Sequence, residues 1–271
     1  MKQSAFTPTF IITSVAFALV AALTIVTSGG SYARTHADSR VAAVSPGSET
    51  AKTVKIRWFG QAGFLITTAQ GTRIVIDPAN FKGYKMPEGV TADILTVSHE
   101  HMDHNAVETV GGNPAVFRGT DRDCSTVHTI DTTVGPVRLY TVPSYHDPGH
   151  HGVNAIFVFE FDGLRLAHLG DIGEVLTSEQ IDALGQIDIL MIPVGGKYTI
   201  SHVEADSIVN QLNPKRLVFP MHYKTAAFDG LPYTAEPFLA DKPNVTRLET
   251  NEFVFKPAAI ASELEYVLMR Y

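Results

Sequence analysis

Short apolar segments recur along the chain from residue 54 onward, and turn-forming residues separate them. Residues 54–59 alternate between apolar and polar side chains, and Asp162-Gly163 lies between two apolar runs. Alternation is typical of strands with one buried face, and Asp-Gly between such runs is typical of a hairpin. We therefore predict strands at residues 54–59, 63–67, 72–76, 94–97, 115–118, 137–142, 155–161, 164–168, 187–192 and 216–220.

Two segments between the later strands carry helical signals. Residues 177–184 form one predicted helix, and residues 201–212 form the other. Ser201 is the predicted N-cap of the second helix, because Glu204 three residues later completes a capping box. Asn213-Pro214 ends it, since the residue before a proline disfavours the helical conformation. Strands that first pair in hairpins and later alternate with helices indicate an α+β architecture of mixed sheets flanked by helices.

The N-terminal part of the chain has a different composition. Lys2 precedes an apolar stretch at residues 10–26, and small residues follow it up to Ala33. This order predicts a signal peptide at residues 1–33; an uncleaved membrane anchor is the alternative, because the apolar stretch approaches the length of a membrane span. Residues 34–52 are small and polar, which predicts a linker before a hydrolase domain at 53–271. Under both alternatives we expect an exported protein, periplasmic or secreted, that associates with the membrane only if the segment is retained.

The net charge argues against a nucleic-acid partner, and the cysteine content excludes an intrachain disulfide. The formal net charge is −7 and the chain has no block of Lys and Arg, so we expect no nucleic-acid partner. Cys124 is the single cysteine and cannot form an intrachain disulfide. The fold must therefore depend on its apolar core, and we interpret Cys124 as a packed thiol rather than a nucleophile.

The strongest chemical signal is the pattern H-x-H-x-D-H in residues 98–105. It contains His99, His101, Asp103 and His104, directly after the apolar run 94–97. In an extended chain His99 and His101 point to the same side, because side chains alternate with a period of two. Two imidazoles on one side can bind one cation, and Asp103 with His104 can reach a second. A polar loop that is rich in histidine by chance would not explain this spacing after a strand.

Three more candidate ligands follow predicted strands elsewhere in the chain. His146, Asp171 and His222 each come shortly after an apolar run, and Gly170 allows the backbone before Asp171 to approach closely. Such an arrangement predicts a site along one edge of a sheet. Two divalent cations there would lower the pKa of a shared water towards neutrality. Ligands of nitrogen and oxygen suit Zn²⁺, which we favour for an exported protein, but also Mn²⁺ or Fe²⁺.

Together these motifs resemble the metallo-β-lactamase superfamily over about residues 54–224. The sequences at 58–64, 168–173, 193–199 and 220–225 resemble more closely the bacterial hydrolases related to ascorbate-6-phosphate lactonase and to N-acyl-phosphatidylethanolamine phospholipase D. The resemblance implies a four-layer αββα sandwich with the site at the sheet edges. It also implies that His99, His101 and His146 hold one metal, that Asp103, His104 and His222 hold the second, and that Asp171 bridges them.

The resemblance implies a hydrolase that cleaves an ester, lactone or phosphodiester bond of a small molecule. Asp103 and Asp171 are the predicted catalytic residues, with Asp103 a candidate for carrying a proton to the leaving group. Class B β-lactamases commonly have Arg at the position of His104 and Cys at that of Asp171, which points away from antibiotic hydrolysis. The alternatives are a non-catalytic exported module that binds metal or ligand, and a diiron redox role that would need a flavin domain for which residues 54–271 leave no room.

Several other residues near these motifs have two interpretations. We expect Asp77 to orient a ligand from behind, and His168 to be a buried histidine with satisfied hydrogen bonds. His150 and His151 either line the substrate entrance or are solvated. Lys197, Tyr198 and Tyr223 either contact substrate or pack against neighbouring side chains.

Overall fold

Two large β-sheets are the central elements of the described chain, which in this computed structural model comprises residues 52–259 and 263–271. The predicted signal segment and all but the last residue of the predicted linker lie outside the described residues. No helix in the described part is long and apolar enough to span a membrane.

The strands follow the predicted pattern of short segments. In chain order they are β1 (Val54–Trp58), β2 (Phe64–Thr67), β3 (Arg73–Ile76), β4 (Asn80–Phe81), β5 (Tyr84–Lys85), β6 (Ile94–Val97), β7 (Ala115–Arg118), β8 (Asp131–Val134), β9 (Val137–His146), β10 (Gly152–Phe161), β11 (Leu164–His168), β12 (Ile189–Pro193), β13 (Leu217–Met221), β14 (Val245–Arg247), β15 (Glu252–Phe255) and β16 (Glu265–Leu268). The described helices are α1 (Ser178–Leu184), α2 (His202–Leu212) and α3 (Glu236–Leu239), with 3₁₀ helices at Val107–Thr109 and Pro257–Ala259.

Both large sheets are mixed, as the sequence predicts. The first has the strand order β15-β1-β2-β3-β6-β7, and the second has the order β14-β16-β13-β12-β11-β10-β9-β8. β3, β6 and β7 run parallel to one another in the first sheet. β11, β12 and β13 run parallel in the second, and β9 shares their direction because both β9 and β11 are antiparallel to β10. β4 and β5 form a separate two-stranded hairpin.

The main core contains side chains from both sheets. Ile56 and Ile74 of the first sheet and Phe157 and Phe159 of the second are fully buried members of one apolar cluster. Burial of each side chain of this size stabilises the fold by about 1.5–3 kcal/mol. The apolar contact between the two sheets is therefore the main source of stability. Because the chain has a single cysteine, this core takes the place of any intrachain disulfide, as expected.

Helices cover the second sheet on its other face, whereas the first sheet has a thinner cover. Every residue of β12 is buried, and α2 contacts this strand. On the first sheet Val75, Leu95 and Val97 pack in a second apolar cluster, against which Val107 of the 3₁₀ helix also packs. The described chain therefore has the layers of an α+β sandwich, with a 3₁₀ helix in the outer layer of the first sheet.

The local signals located most elements correctly. Strands predicted at 94–97, 115–118 and 164–168 have those bounds, and Ser201 forms the predicted capping box with Glu204. The turn residues Asp162 and Gly163 both have positive φ, as a tight hairpin requires. Some short elements of two to four residues were not predicted, namely β4, β5, β8, β14, β15, β16 and α3.

Candidate metal centre

The direction of the strands brings the candidate ligands to one edge of each sheet. In the first sheet β6 leads into Ser98 and His99, while the parallel β3 leads into Asp77. In the second sheet β9 ends at His146, and β11 and β13 lead towards Asp171 and His222. Parallel strands have their carboxyl ends at the same edge. The two edges meet where the amide of Ala155 donates a hydrogen bond of 3.0 Å to the carbonyl of Ser98.

All seven predicted ligands come together in two groups of metal-binding atoms. One group consists of His99, His101 and His146, and the other of Asp103, His104, Asp171 and His222. Within each group one nitrogen or oxygen atom per residue lies within 4.8 Å of all the others. The five histidines and Asp103 divide as the resemblance implies, and Asp171, the implied bridging residue, is grouped with Asp103, His104 and His222.

The carboxylate of Asp171 lies at the centre of the site. Its Oδ2 is 3.1 Å from Nε2 of His222, 3.3 Å from Nε2 of His104, 3.7 Å from Nε2 of His146 and 4.0 Å from Nε2 of His99. These four histidines come from both groups, so one carboxylate oxygen is close to ligands of both. This is the position that a bridging ligand requires.

The hydrogen bonding of the site fits bound cations. Nε2 of His99, His104 and His146 is buried and has no hydrogen-bond partner among the described residues, and neither has Oδ1 of Asp171. Burial of unpaired polar atoms costs on the order of 1–3 kcal/mol each. Divalent cations with nitrogen and oxygen ligands would satisfy these atoms together. The orphaned atoms therefore support a metal centre rather than a chance cluster of histidines.

The electrostatics of the cluster also favour positive charge. Burial alone would raise the pKa of Asp171, but His104 and His222 lower it well below its usual value. Burial would likewise lower the pKa of His104, but the carboxylates of Asp171 and Asp103 outweigh burial and raise it well above the usual value. The pKa of His99 is well below its usual value because of burial and then because of the neighbouring His104. A buried carboxylate among imidazoles thus attracts either protons or metal ions.

Asp77 supports His104 from behind. Its Oδ2 lies 2.9 Å from Nδ1 of His104 and accepts a hydrogen bond of 2.6 Å from the hydroxyl of Ser98, while Oδ1 accepts one of 2.7 Å from the Ser98 amide. A carboxylate behind a ligand histidine fixes the ring and directs its other nitrogen towards the metal. The contact is the one that the predicted orienting role requires.

Asn154 fixes the loop that carries Asp171, and the sequence did not identify it. Its Oδ1 accepts a hydrogen bond of 3.0 Å from the Asp171 amide, and its Nδ2 donates one of 2.9 Å to the carbonyl of Leu169. A Cβ atom on Gly170 would lie 2.2 Å from Oδ1 of Asn154, so this position has no room for a side chain. The close approach predicted for Gly170 is thus confirmed. Asn154 lies within β10, where no motif signals a role.

His168 has the predicted structural role. Its Nε2 lies 2.9 Å from the carbonyl of Ala62, and its Nδ1 accepts a hydrogen bond of 3.2 Å from the amide of Gly170. Burial lowers its pKa, which favours the neutral ring that this pair of hydrogen bonds needs. His168 therefore connects the first sheet to the loop before Asp171 without offering a nitrogen to the centre.

A cavity of about 710 Å³ opens at the metal centre. Its lining includes ligand side chains and also Tyr198, whereas Tyr223 is buried with its ring 5.3 Å from that of Trp58. Tyr198 therefore lines the cavity, whereas Tyr223 packs against Trp58. His150 and His151 are not among the lining residues; the ring of His150 stacks on Tyr145 at 4.3 Å.

Comparisons with known proteins agree with this fold and with a metal-dependent hydrolase. A family model described as "Beta-lactamase superfamily domain" matches residues 55–222. A UPF0173 metal-dependent hydrolase from Thermococcus kodakarensis is 32% identical over 197 residues, which cover 64% of this chain and 85% of that protein. Another from Thermococcus onnurineus is 31% identical over 228 residues, covering 74% and 99%.

A solved structure gives the same result for the fold. A candidate Zn-dependent hydrolase of the metallo-β-lactamase superfamily from Thermotoga maritima has a TM-score of 0.66 at 36% identity, covering 80% of this chain and 98% of that one. The sandwich architecture predicted from the resemblance is therefore confirmed.

We expect Asp77→Asn to weaken metal binding by about 10–100-fold, because the new amide nitrogen cannot accept the hydrogen bond from Nδ1 of His104. Competition with a chromogenic chelator measures the affinity. Asp182→Asn is the matched control, since Asp182 is exposed on α1 and is not among the candidate ligands. Equal affinities for the two variants would contradict an orienting role of Asp77.

Proposed function

The chain belongs to the metallo-β-lactamase superfamily and is a metal-dependent hydrolase, and from this premise we propose that it uses a water activated by two divalent cations to cleave an ester, lactone or phosphodiester bond. The observation that carries the proposal is the position of Asp171, whose Oδ2 lies within 4.0 Å of histidines from both ligand groups. A centre for a single ion would not need a carboxylate between two groups.

Seven side chains would hold the metals. His99, His101 and His146 would bind one ion, Asp103, His104 and His222 the other, and Asp171 both. When bound, two such cations lower the pKa of a shared water towards neutrality and polarise the oxygen of the bond under attack. Zinc is our proposal for both ions, with manganese or iron as the alternatives that the same ligands allow.

The two aspartates have different access to substrate. The side chain of Asp171 is 3% exposed and holds its negative charge between the histidines, whereas that of Asp103 is 17% exposed. Both aspartates line the cavity, but the greater exposure of Asp103 allows a leaving group to reach its carboxylate. We assign Asp171 to holding the centre together and Asp103 to moving a proton to the leaving group. No serine or cysteine nucleophile is needed for this chemistry.

The proposal is tested by activity of the zinc- or manganese-loaded protein on a panel of lactones, aryl esters and bis-p-nitrophenyl phosphate. We expect His146→Ala to lower kcat/KM by at least about 100-fold, because one ligand of the first group is lost. His128→Ala is the matched control, since His128 is exposed and bonded to the carbonyl of Arg118. If the loaded wild-type protein cleaves nothing in the panel, or if His146→Ala is as active as the control, the proposal of hydrolysis at this centre is wrong.

We also propose that the protein is exported. Support comes from Lys2, the apolar stretch at residues 10–26 and the small residues up to Ala33. Expression of the full chain in a bacterium, followed by fractionation and mass spectrometry of its N-terminus, tests this. We expect the protein outside the inner membrane, beginning after Ala33 if the segment is cleaved. Protein that remains in the cytoplasm with Met1 or Lys2 at its N-terminus would contradict export.

A further inference from the structure

One wall of the cavity beside the metal centre is apolar. It contains Phe81 at the end of β4 and Phe228 in the loop after β13, whose rings meet edge to face with centroids 5.5 Å apart. Tyr198 and Met102 add apolar surface to the same cavity. Tyr198 is 45% exposed and Met102 is 67% exposed. Exposed apolar side chains that converge on a concave site are typical of surfaces that a ligand covers.

The aromatic wall is held in a fixed position. The hydroxyl of Tyr84 lies 2.6 Å from that of Thr225, which joins the β4–β5 hairpin to the loop of Phe228. Gly83 at the hairpin turn is so close to this loop that a Cβ atom there would lie 2.5 Å from the carbonyl of Ala227. The hydroxyl of Tyr271 donates a hydrogen bond of 2.9 Å to the carbonyl of Gly83. These contacts hold the aromatic wall in one position, and a rigid binding surface reduces the entropy lost on binding.

Apart from the proposed metal ions, the cavity offers few groups for a strongly charged substrate. Lys82 is the only Lys or Arg side chain among the described residues that line it, and its Nζ lies over the ring of Phe81, 5.5 Å from the centroid. Glu100 lines the cavity too, but it is paired with Arg118, which is not a lining residue. A phosphorylated sugar or other polyanion would find no cluster of arginines here, such as planar phosphate recognition commonly uses.

From this wall, and resting on the proposed hydrolase function, we propose that the substrate carries an uncharged apolar group about the size of an aromatic ring next to the bond that is cleaved. The polar bond would lie at the metal ligands, and the apolar group would pack against Phe81 and Phe228. The volume of about 710 Å³ is within the range of small-molecule sites.

Binding of two phosphonates to the zinc-loaded protein tests the proposal without turnover. Phenylphosphonate and methylphosphonate share the metal-binding group and differ only in the apolar part. We expect phenylphosphonate to bind about 10–100-fold more tightly by isothermal titration, which corresponds to burial of a ring of this size. Phe228→Ala should remove most of this preference and leave the affinity for methylphosphonate unchanged.

Two further variants serve as controls for a change of fold. Phe228→Leu keeps an apolar side chain and should retain a large part of the preference, and Tyr233→Ala removes an exposed aromatic residue that does not line the cavity. Equal binding of the two phosphonates by wild-type protein would overturn the proposal, and so would an unchanged preference in Phe228→Ala. Failure of the hydrolase function would differ: the phenyl preference would be present, but no ester, lactone or phosphodiester would be cleaved.

A second inference comes from Gln61, which is 1% exposed and borders the same cavity. Its Nε2 donates a hydrogen bond of 2.8 Å to Oδ2 of Asp103, while its buried Oε1 has no hydrogen-bond partner among the described residues. Its main-chain carbonyl accepts a hydrogen bond of 3.0 Å from the amide of His222 and one of 3.0 Å from Nε1 of Trp58. Gln61 therefore contacts two ligands of the second group by separate routes.

The geometry points to Gln61 as a positioning residue for the second metal, with its side chain orienting Asp103 and its backbone orienting His222. Its φ of 50° lies in the left-handed region, which costs free energy for a glutamine and is retained where the surroundings require it. The side-chain role and the backbone role can be separated by substitution, because a new side chain leaves the carbonyl in place.

Gln61→Asn is the most informative variant. Asparagine tolerates the left-handed conformation well, but its amide is one methylene too short to reach Asp103. We expect affinity for the second zinc ion to fall about 10–100-fold while affinity for the first stays unchanged, measured by stepwise competition with a chromogenic chelator. Gln70→Asn, at an exposed position, is the matched control. Two unchanged affinities in folded Gln61→Asn protein, or only one zinc site in the wild type, would overturn this role.

Discussion

The structure of the site depends on one buried negative charge, the carboxylate of Asp171. Burial of an isolated carboxylate is strongly unfavourable, so its charge must be compensated where it lies. Four imidazoles surround Oδ2 within 4.0 Å, and His104 and His222 hold the pKa of the acid well below its usual value. Two cations would compensate the same charge and also satisfy the orphaned histidine nitrogens. Compensation of this buried charge therefore requires the strand ends that carry the histidines to lie beside Asp171.

Backbone strain occurs both at a ligand of the centre and at residues that hold the ligands in place. Gln61, Asp77 and His222 all have φ between 44° and 50°, although none of them is glycine. Each lies at the end of a strand or in the turn beside it, where the chain must change direction to direct a side chain towards the centre. Such strain is stable only because the sheets on both sides fix the strand ends. The large apolar core between the sheets thus supports the precision of the site.

Sequence reasoning identified what is local and what carries a motif. H-x-H-x-D-H and the residues after three apolar strands identified seven side chains that the fold brings together, because strand direction is enough to place their ends at one edge. Asn154 was missed, since an asparagine inside an apolar strand has no local signal and acts only through the distant Asp171 loop. The apolar wall was missed because Phe81 and Phe228 are 147 positions apart in the chain and meet only in the folded protein.

We propose that these seven residues bind two cations on either side of Asp171. Anomalous diffraction from crystals of the zinc-loaded protein, collected at the zinc absorption edge, tests this most directly. We expect two peaks per chain, one within the group His99, His101 and His146 and the other within the group Asp103, His104 and His222, with the carboxylate of Asp171 between them. No peak at this sheet edge, or zinc bound by other residues, would contradict it.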